Sequence, residues 1–255
     1  MEINSETKLD YLFLLLSHLG KTVYLQKEKE KLQDDFLSSI THEVRTPLAL
    51  IRGFAQVLLE DDDLYEKNKK DFIRTIYKES VKLSNMLDKL SFLSKLDRGK
   101  LLLNKSLVEP ERFIKEIIEN FYSSADERGV SLTVSSKGEI PSISLDTEKM
   151  RMVFQEFFRD ALKVTGRNGK IEIILTSTDK NLKIELKDNG KGIPAEELPF
   201  IFDKFYKVSS LDNEEGTGLG LVLAKRIIEE HEGSLTVKSQ EMKGTSFFIF
   251  LPLYW

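Results

Sequence analysis

One histidine, His42, stands in the middle of a strongly patterned stretch, FLSSITHEVRTPL from Phe36 to Leu48. A neutral imidazole has one nitrogen that donates and one that accepts. A carboxylate on the donor side therefore leaves the other nitrogen free as a nucleophile near neutral pH. Glu43 is the candidate carboxylate. Residues at i, i+1 do not face each other on a helix, so Glu43 has to reach sideways. Thr46, four residues on, shares the face of His42 and is placed to position a water or a partner group. A lone histidine on a helical bundle is ordinarily a surface residue; His-Glu-x-x-Thr-Pro laid over a continuous apolar stripe shifts the reading toward chemistry.

Two glycine clusters form a second set. DNGKGI, Asp188 to Ile193, follows an expected strand and contains Gly190, Gly192 and Ile193. GTGLGL, Gly216 to Leu221, opens an expected helix with Gly216, Thr217, Gly218, Leu219 and Gly220. Glycines let backbone amides come close to phosphate, and a helix start adds free N–H groups and a favourable dipole. Each cluster alone is equally a pair of turns. A Rossmann fingerprint needs a strand directly before its glycines and a third glycine where Leu221 stands, and a P-loop needs GK[ST]; neither pattern is met. Glu156 and Asp160 lie at i, i+4, side by side on one helix face. On an exposed helix, two such carboxylates need be no more than a solvated face.

The elements that must position these residues are legible from periodicity. Leu37, Ile40, Val44, Leu48, Ile51, Ala55 and Leu58 recur every three or four residues along a first helix, with Pro47 expected to free the carbonyl of Glu43 and kink the rod. The signals before it, Lys21 to Lys31 with Leu25 and Leu32 seven apart, read as coiled coil. After a polar connection, Glu60 to Lys67, a second helix is expected from about Asn68 to Leu96, with Phe72, Ile76, Leu83, Leu87, Leu90, Leu93 and Leu96 on one face. Two helices with wide apolar faces bury too little alone, so the economical arrangement is an antiparallel hairpin in a homodimeric four-helix bundle. The rival is a hairpin packed only on its own chain.

Asp97 to Lys100, DRGK, reads as a hinge, beyond which strands and helices alternate. Strands are expected at LLLNKSLVE, SLTVSS, SISL, KIEIILTST, NLKIELKDN, SLTVKSQ and TSFFIFLPL. Helices are expected over Pro110 to Arg128, from an Asp146 N-cap to Val164, and over Leu219 to Glu230. The fold class is thus α followed by α/β: a helical hairpin, then an α/β sandwich with a mixed sheet. Three divisions follow: a helical segment 1–32, a hairpin domain 33–98 and a sandwich domain 99–255.

Composition sets the outer limits. The 255 residues suffice for two ordinary domains, with 40% apolar and 31% charged residues. A net charge of −4 gives no footprint for nucleic acid or an anionic membrane. With no cysteine and only His18, His42 and His231, disulfides are excluded and a structural zinc site is not expected, which fits a reducing, cytoplasmic setting. The apolar run Tyr11 to Leu16 is far short of the about 20 residues that a span needs, so no membrane contact is expected within the chain. Glu2, Glu6 and Asp10 do not suit a signal peptide.

THEVRTPL closely resembles the phospho-accepting box of two-component sensor histidine kinases. The glycine clusters, with GTSFFIFLP near the end, resemble in order and spacing the ATP-binding domain shared by those kinases, gyrase and a heat-shock chaperone. The likeness covers about Gln33 to Pro252. It implies that His42 takes the γ-phosphoryl group of ATP and passes it to an aspartate of a response regulator receiver domain. It implies too that Asp188 accepts a hydrogen bond from the adenine amino group, and an ionised carboxylate, which can only accept, suits adenine and not guanine. PAEELPFIFDKFYKVSSLDNEE is then the lid over ATP, with Phe202, Phe205 and Tyr206 as its aromatic box and Lys207 where many relatives carry arginine near the phosphates; lysine brings the charge without the bidentate fork. The match departs in MRMVFQEFFRDALKVT, where relatives have asparagines in register with Glu156 and Asp160. By analogy Asp160 is the Mg²⁺ ligand, Glu156 either stands beside the metal or acts as a base for water, and Lys163 occupies the family's lysine position.

The resemblance implies a dimeric kinase that phosphorylates His42 from ATP with Mg²⁺, and one that dephosphorylates its regulator through Thr46. Two other readings stay open: a relative impaired in ATP chemistry that binds or dephosphorylates a regulator, and an ATPase of the gyrase class that uses Glu156 on water.

Overall fold

The apolar stripe around His42 builds a helix, α1, over residues 37–60, and the helix runs through Pro47 without a break. The structure is a computed structural model and describes residues 37–60, 65–99, 101–209 and 216–253. The expected coiled coil, Phe36, the middle of the polar connection, Lys100 and the lid residues 210–215 lie outside the described residues. The second helix, α2, spans Glu66–Asp97. Phe54 of α1 meets Phe72 of α2 with ring centroids 4.9 Å apart, as an antiparallel hairpin requires. Gly99, at φ 61°, ends α2 by turning its N–H back to the carbonyl of Leu96.

The chain divides into two compact units, the first ending at Leu83 and the second beginning at Ser84. The last turns of α2 therefore belong with the sandwich. Its remaining elements are β1 Ser106–Val108, α3 Pro110–Ile118, α4 Tyr122–Arg128, β2 Ser131–Lys137, β3 Ile143–Leu145, α5 Thr147–Val164, β4 Lys170–Ser177, β5 Asn181–Asp188, α6 Gly220–Glu230, β6 Ser234–Gln240 and β7 Gly244–Pro252. Five strands form one sheet in the order β2-β4-β5-β7-β6, and β1 pairs with β3 apart from it. β2 runs parallel to β4 and the other neighbours are antiparallel, which makes the sheet mixed. Period-two burial in β4 and β5 turns Ile171, Ile173, Leu175, Leu182, Ile184 and Leu186 inward; Phe154, Phe157 and Phe158 of α5 and Ile227 and Ile228 of α6 are buried too, and Phe157 packs on Phe247 of β7 with ring centroids 4.9 Å apart.

Two expected elements are shorter than their sequence patterns. The strand expected over Leu101–Glu109 is only Ser106–Val108, because β3 offers three partners and the Asn104 N–H goes to the carboxylate of Asp146, 2.8 Å away. The helix expected over Pro110–Arg128 tightens into a 3₁₀ turn at Glu119–Phe121, where Phe121 packs on Phe158 with centroids 5.4 Å apart. The Asp146 N-cap is as expected, its side chain accepting the Lys149 N–H at 3.0 Å.

Candidate active site

On α1, His42 and Thr46 are both exposed and Pro47 is buried. The Thr46 hydroxyl donates to the carbonyl of His42 at 3.3 Å, so the two residues share a face, as their spacing requires. Glu43 is half-buried. An exposed imidazole on a rigid helix can meet an electrophile carried by another body without any rearrangement of its own backbone.

In the second unit, Asp188 closes β5 and is 3% exposed. Its Oδ1 accepts the N–H of Gly190 at 2.8 Å and that of Thr245 at 3.3 Å. Burial pushes its pKa above the ordinary value, and the amides of Gly190, Thr245 and Asp188 itself pull it back. Backbone amides thus fix Oδ1, and with it the orientation of the whole carboxylate. Gly192 is at φ 67°, and a Cβ there would stand 2.1 Å from the carbonyl oxygen of Gln240, so neither the conformation nor the space admits a side chain. The next residue, Ile193, donates its N–H to Ser239 Oγ at 2.8 Å, and Ser239 Oγ lies 2.9 Å from Thr245 Oγ1. The first glycine cluster is thereby locked onto the β6–β7 turn.

The second cluster is held against the aromatic box. Gly218 is at φ 65°, and a Cβ on it would stand 2.4 Å from the backbone carbon of Phe205. Its carbonyl accepts the Phe205 N–H at 2.9 Å, and Phe205 itself is in the left-handed region at φ 66°, a costly place for an aromatic residue. Phe202 lies under the Lys225 ammonium, 5.1 Å from the ring centroid. Tyr206 donates its hydroxyl to Glu197 Oε2 at 2.9 Å; Ser209 adds its N–H at 2.9 Å and its hydroxyl at 2.5 Å to the same carboxylate. Glu197 thus ties together the residues on either side of Lys207 in the chain, and Lys207 itself is half-buried. Thr217 precedes Gly218, and Leu219, fully buried, leads into α6, whose first residue is Gly220.

On α5, Glu156 is 8% exposed. Its Oε2 accepts from Lys89 Nζ at 2.8 Å and its Oε1 from Arg159 at 2.7 Å. Burial works against the charge, yet the Lys89 ammonium and the Arg159 guanidinium outweigh it and hold the carboxyl below its ordinary pKa. Asp160, one turn on, keeps 40% of its side chain open and has Lys163 at 3.9 Å. Although the side chain is partly open, loss of water around the carboxylate pushes its pKa up to about 6, with Lys163 pulling it down and Glu156 pushing it further up. That partly open carboxylate suits Mg²⁺, which needs one or two carboxylates and the substrate's phosphates and not a protein cage. Among the described residues no group of three acidic or histidine side chains could hold a metal by itself.

The structure gathers Asp188, the two glycine clusters, the aromatic box, Glu156, Asp160 and Lys163 in the second unit. Sequence reasoning missed Lys89, Arg159, Ser239, Thr245 and Glu197. Thr245 and Gly244 open the GTSFFIFLP motif and were findable there; nothing in the polar pattern of α2 distinguishes Lys89 from its neighbours.

Comparison with known proteins places this geometry. Residues 145–254 match the family model described as histidine kinase-, DNA gyrase B- and HSP90-like ATPase, and residues 32–99 match the His Kinase A (phospho-acceptor) domain. Sensor protein SrrB of Staphylococcus aureus is 30% identical over 226 residues, which cover 88% of this chain and 38% of that protein. The chain thus spans well under half of the curated relatives it matches. Among solved structures, the histidine kinase AdeS of Acinetobacter baumannii aligns with TM-score 0.68 at 21% identity, over 84% of this chain and 98% of that one. The histidine kinase ThkA, solved with the response regulator protein TrrA, aligns with TM-score 0.71 at 22% identity, over 89% of this chain and 64% of that one. At these identities the structural likeness speaks for the fold.

Proposed function

This chain belongs to the histidine kinases, with a phospho-acceptor hairpin followed by the ATPase-type sandwich, and from that premise we propose that it transfers the γ-phosphoryl group of ATP to His42 and onward to an aspartate of a response regulator receiver domain. The observation that carries this reading is an exposed imidazole on a rigid helix in the same chain as a buried carboxylate, Asp188, whose Oδ1 is fixed by backbone amides.

A free imidazole nitrogen attacks the γ-phosphorus as the β–γ bridging P–O bond breaks, and Glu43 orients the ring through its N–H. Asp188 selects the base; Gly190, Gly192 and Ile193 shape the wall beside it. The amides at Gly216 to Gly220 and the Lys207 ammonium face the phosphates. Mg²⁺, when bound, neutralises phosphate charge, and Asp160 is the residue to hold it. Glu156 would first have to give up an ion pair, so it is assigned beside the site and not to the metal. Lys163 stays with Asp160.

Apolar residues left exposed on the hairpin, including Leu37 at 53%, Leu48 at 53%, Ile73 at 58% and Tyr77 at 69%, fit burial against a second copy in a four-helix bundle. No helix among the described residues is long and apolar enough to cross a membrane, and a cytoplasmic site of action is part of the proposal. Thr46, beside His42, is the residue for removing phosphate from the regulator. Hydrolysis with Glu156 as base is disfavoured by its two ion pairs.

The test is incubation with ATP and Mg²⁺ followed by mapping of added phosphate by mass. One phosphate on His42 is the expected result; ATP bound but no phosphate on any histidine would leave the impaired-relative reading in its place.

A further inference from the structure

One carboxylate lies against the second glycine cluster, and another stands one helical turn away from it. Glu156 Oε2 lies so close to the backbone of Gly220 that a Cβ there would stand 2.4 Å from it, and Asp160 is one turn along the same face of α5. Two anions beside a triphosphate repel it strongly unless cations intervene. Lys163 stands 3.9 Å from Asp160; for Glu156, Arg159 supplies one at 2.7 Å, but its side chain is 48% exposed and its charge is screened by water. Lys89 supplies the other at 2.8 Å with only 18% of its side chain exposed, so this pair acts at lower dielectric.

Lys89 does not come from the sandwich. It belongs to α2, 67 positions before Glu156 and two turns before that helix ends at Asp97. A second contact repeats the arrangement: Phe92 of α2 carries the Lys149 ammonium of α5 5.4 Å from its ring centroid. The last turns of α2 are thus seated on α5 at two points within one compact unit.

We propose that Lys89 is a residue of the nucleotide site supplied by the hairpin helix: its ammonium cancels the charge of Glu156, so ATP binds tightly only while α2 holds Lys89 against α5. The inference rests on the reading of this pocket as an ATP site. By linkage, bound ATP then favours the Lys89–Glu156 pair by the same factor that the pair favours ATP. Nucleotide occupancy and the seating of the hairpin helix become one equilibrium. A glutamate can stand where relatives have a neutral asparagine because Lys89 compensates it.

The experiment measures ATP affinity of the full chain by calorimetry, at low and high salt, for the unsubstituted protein, Lys89→Gln, Glu156→Gln and the double variant. Lys89→Gln is expected to weaken binding about tenfold, an effect that shrinks as salt rises. Glu156→Gln is expected to tighten it about threefold by removing an anion near the phosphates. In the double variant the loss is rescued, because no charge is left to compensate. Unchanged affinity in Lys89→Gln overturns the proposal. So does a double variant as weak as Lys89→Gln, which would make Lys89 a direct phosphate ligand. Where Lys89→Gln yields no folded protein, Glu156→Gln and the double variant decide: affinities within about threefold support the proposal, and a gap above about tenfold overturns it. Unsubstituted protein that binds no ATP fails the ATP-site reading and this inference together, whereas binding that ignores Lys89 fails the inference alone.

Discussion

The backbone N–H of Thr245, at the start of β7, donates to Oδ1 of Asp188, at the end of the neighbouring β5, at 3.3 Å, and Gly190 donates to the same oxygen at 2.8 Å. Two donors on one oxygen decide what an amide could do in its place. Asp188→Asn keeps its carbonyl oxygen on those amides and so turns its NH₂ toward the ligand, donor against the adenine amino group. ATP affinity should fall by about one to two orders of magnitude, roughly 1.5–3 kcal/mol for a charge-assisted bond replaced by a clash of donors. Calorimetric titration checks it; an unchanged Kd would remove Asp188 from the base pocket.

His42→Gln should abolish phosphate incorporation while leaving the melting temperature within about 2 °C, since an exposed helical side chain carries little stability. Acid-labile label persisting on this variant would place the acceptor elsewhere.

At Asp160 the prediction concerns the metal. A carboxylate holds Mg²⁺ more firmly than an amide oxygen, but without metal its charge repels the triphosphate. ATP binding should therefore rise more steeply with Mg²⁺ in the unsubstituted protein than in Asp160→Asn. Superimposable Mg²⁺ titrations for the two proteins would show that Asp160 does not touch the ion.

His231 makes a pH prediction for stability. It is 2% exposed; its Nδ1 lies 2.8 Å from the carbonyl of Ile227, and its Nε2 accepts the Asp146 N–H at 3.0 Å, which fixes the neutral tautomer with the proton on Nδ1. Burial, aided by Lys105, holds its pKa below 6.5, against the pull of the Ile227 carbonyl, Asp146 and Glu230. Below pH about 6.5 the unfolded chain takes a proton that the folded one refuses, so stability should fall as pH drops through that value and be unaffected by this residue above it. His231→Gln should cost about 1–3 kcal/mol at pH 7.5 and flatten the curve below pH about 6.5. Urea titrations across that range measure both; parallel curves for the two proteins would assign the acid limb to other groups. Asp146 is one such group, since burial opposes its charge but the Lys149 and Asn104 amides win and hold its pKa low, so its contribution is lost only in stronger acid.

Period and punctuation in the sequence determined the elements. The three-and-four spacing from Leu37 to Leu58, the Asp146 cap and the alternation in KIEIILTST and NLKIELKDN each specify local structure through contacts within one element or with its nearest neighbour. The chemistry-bearing residues were legible for the same reason: His42 and Thr46 are one helical turn apart, and glycine is required wherever backbone meets backbone, as at Gly192 and Gly218. Tertiary structure alone decided the partners. That Asn104 gives its N–H to Asp146 and not to a strand, that Phe121 tightens a helix to reach Phe158, and that Lys89 neutralises Glu156 from 67 residues away depend on which surfaces the fold brings together. A charge on the polar face of a helix has the same sequence signature whether it meets water or a buried carboxylate, and only packing distinguishes the two.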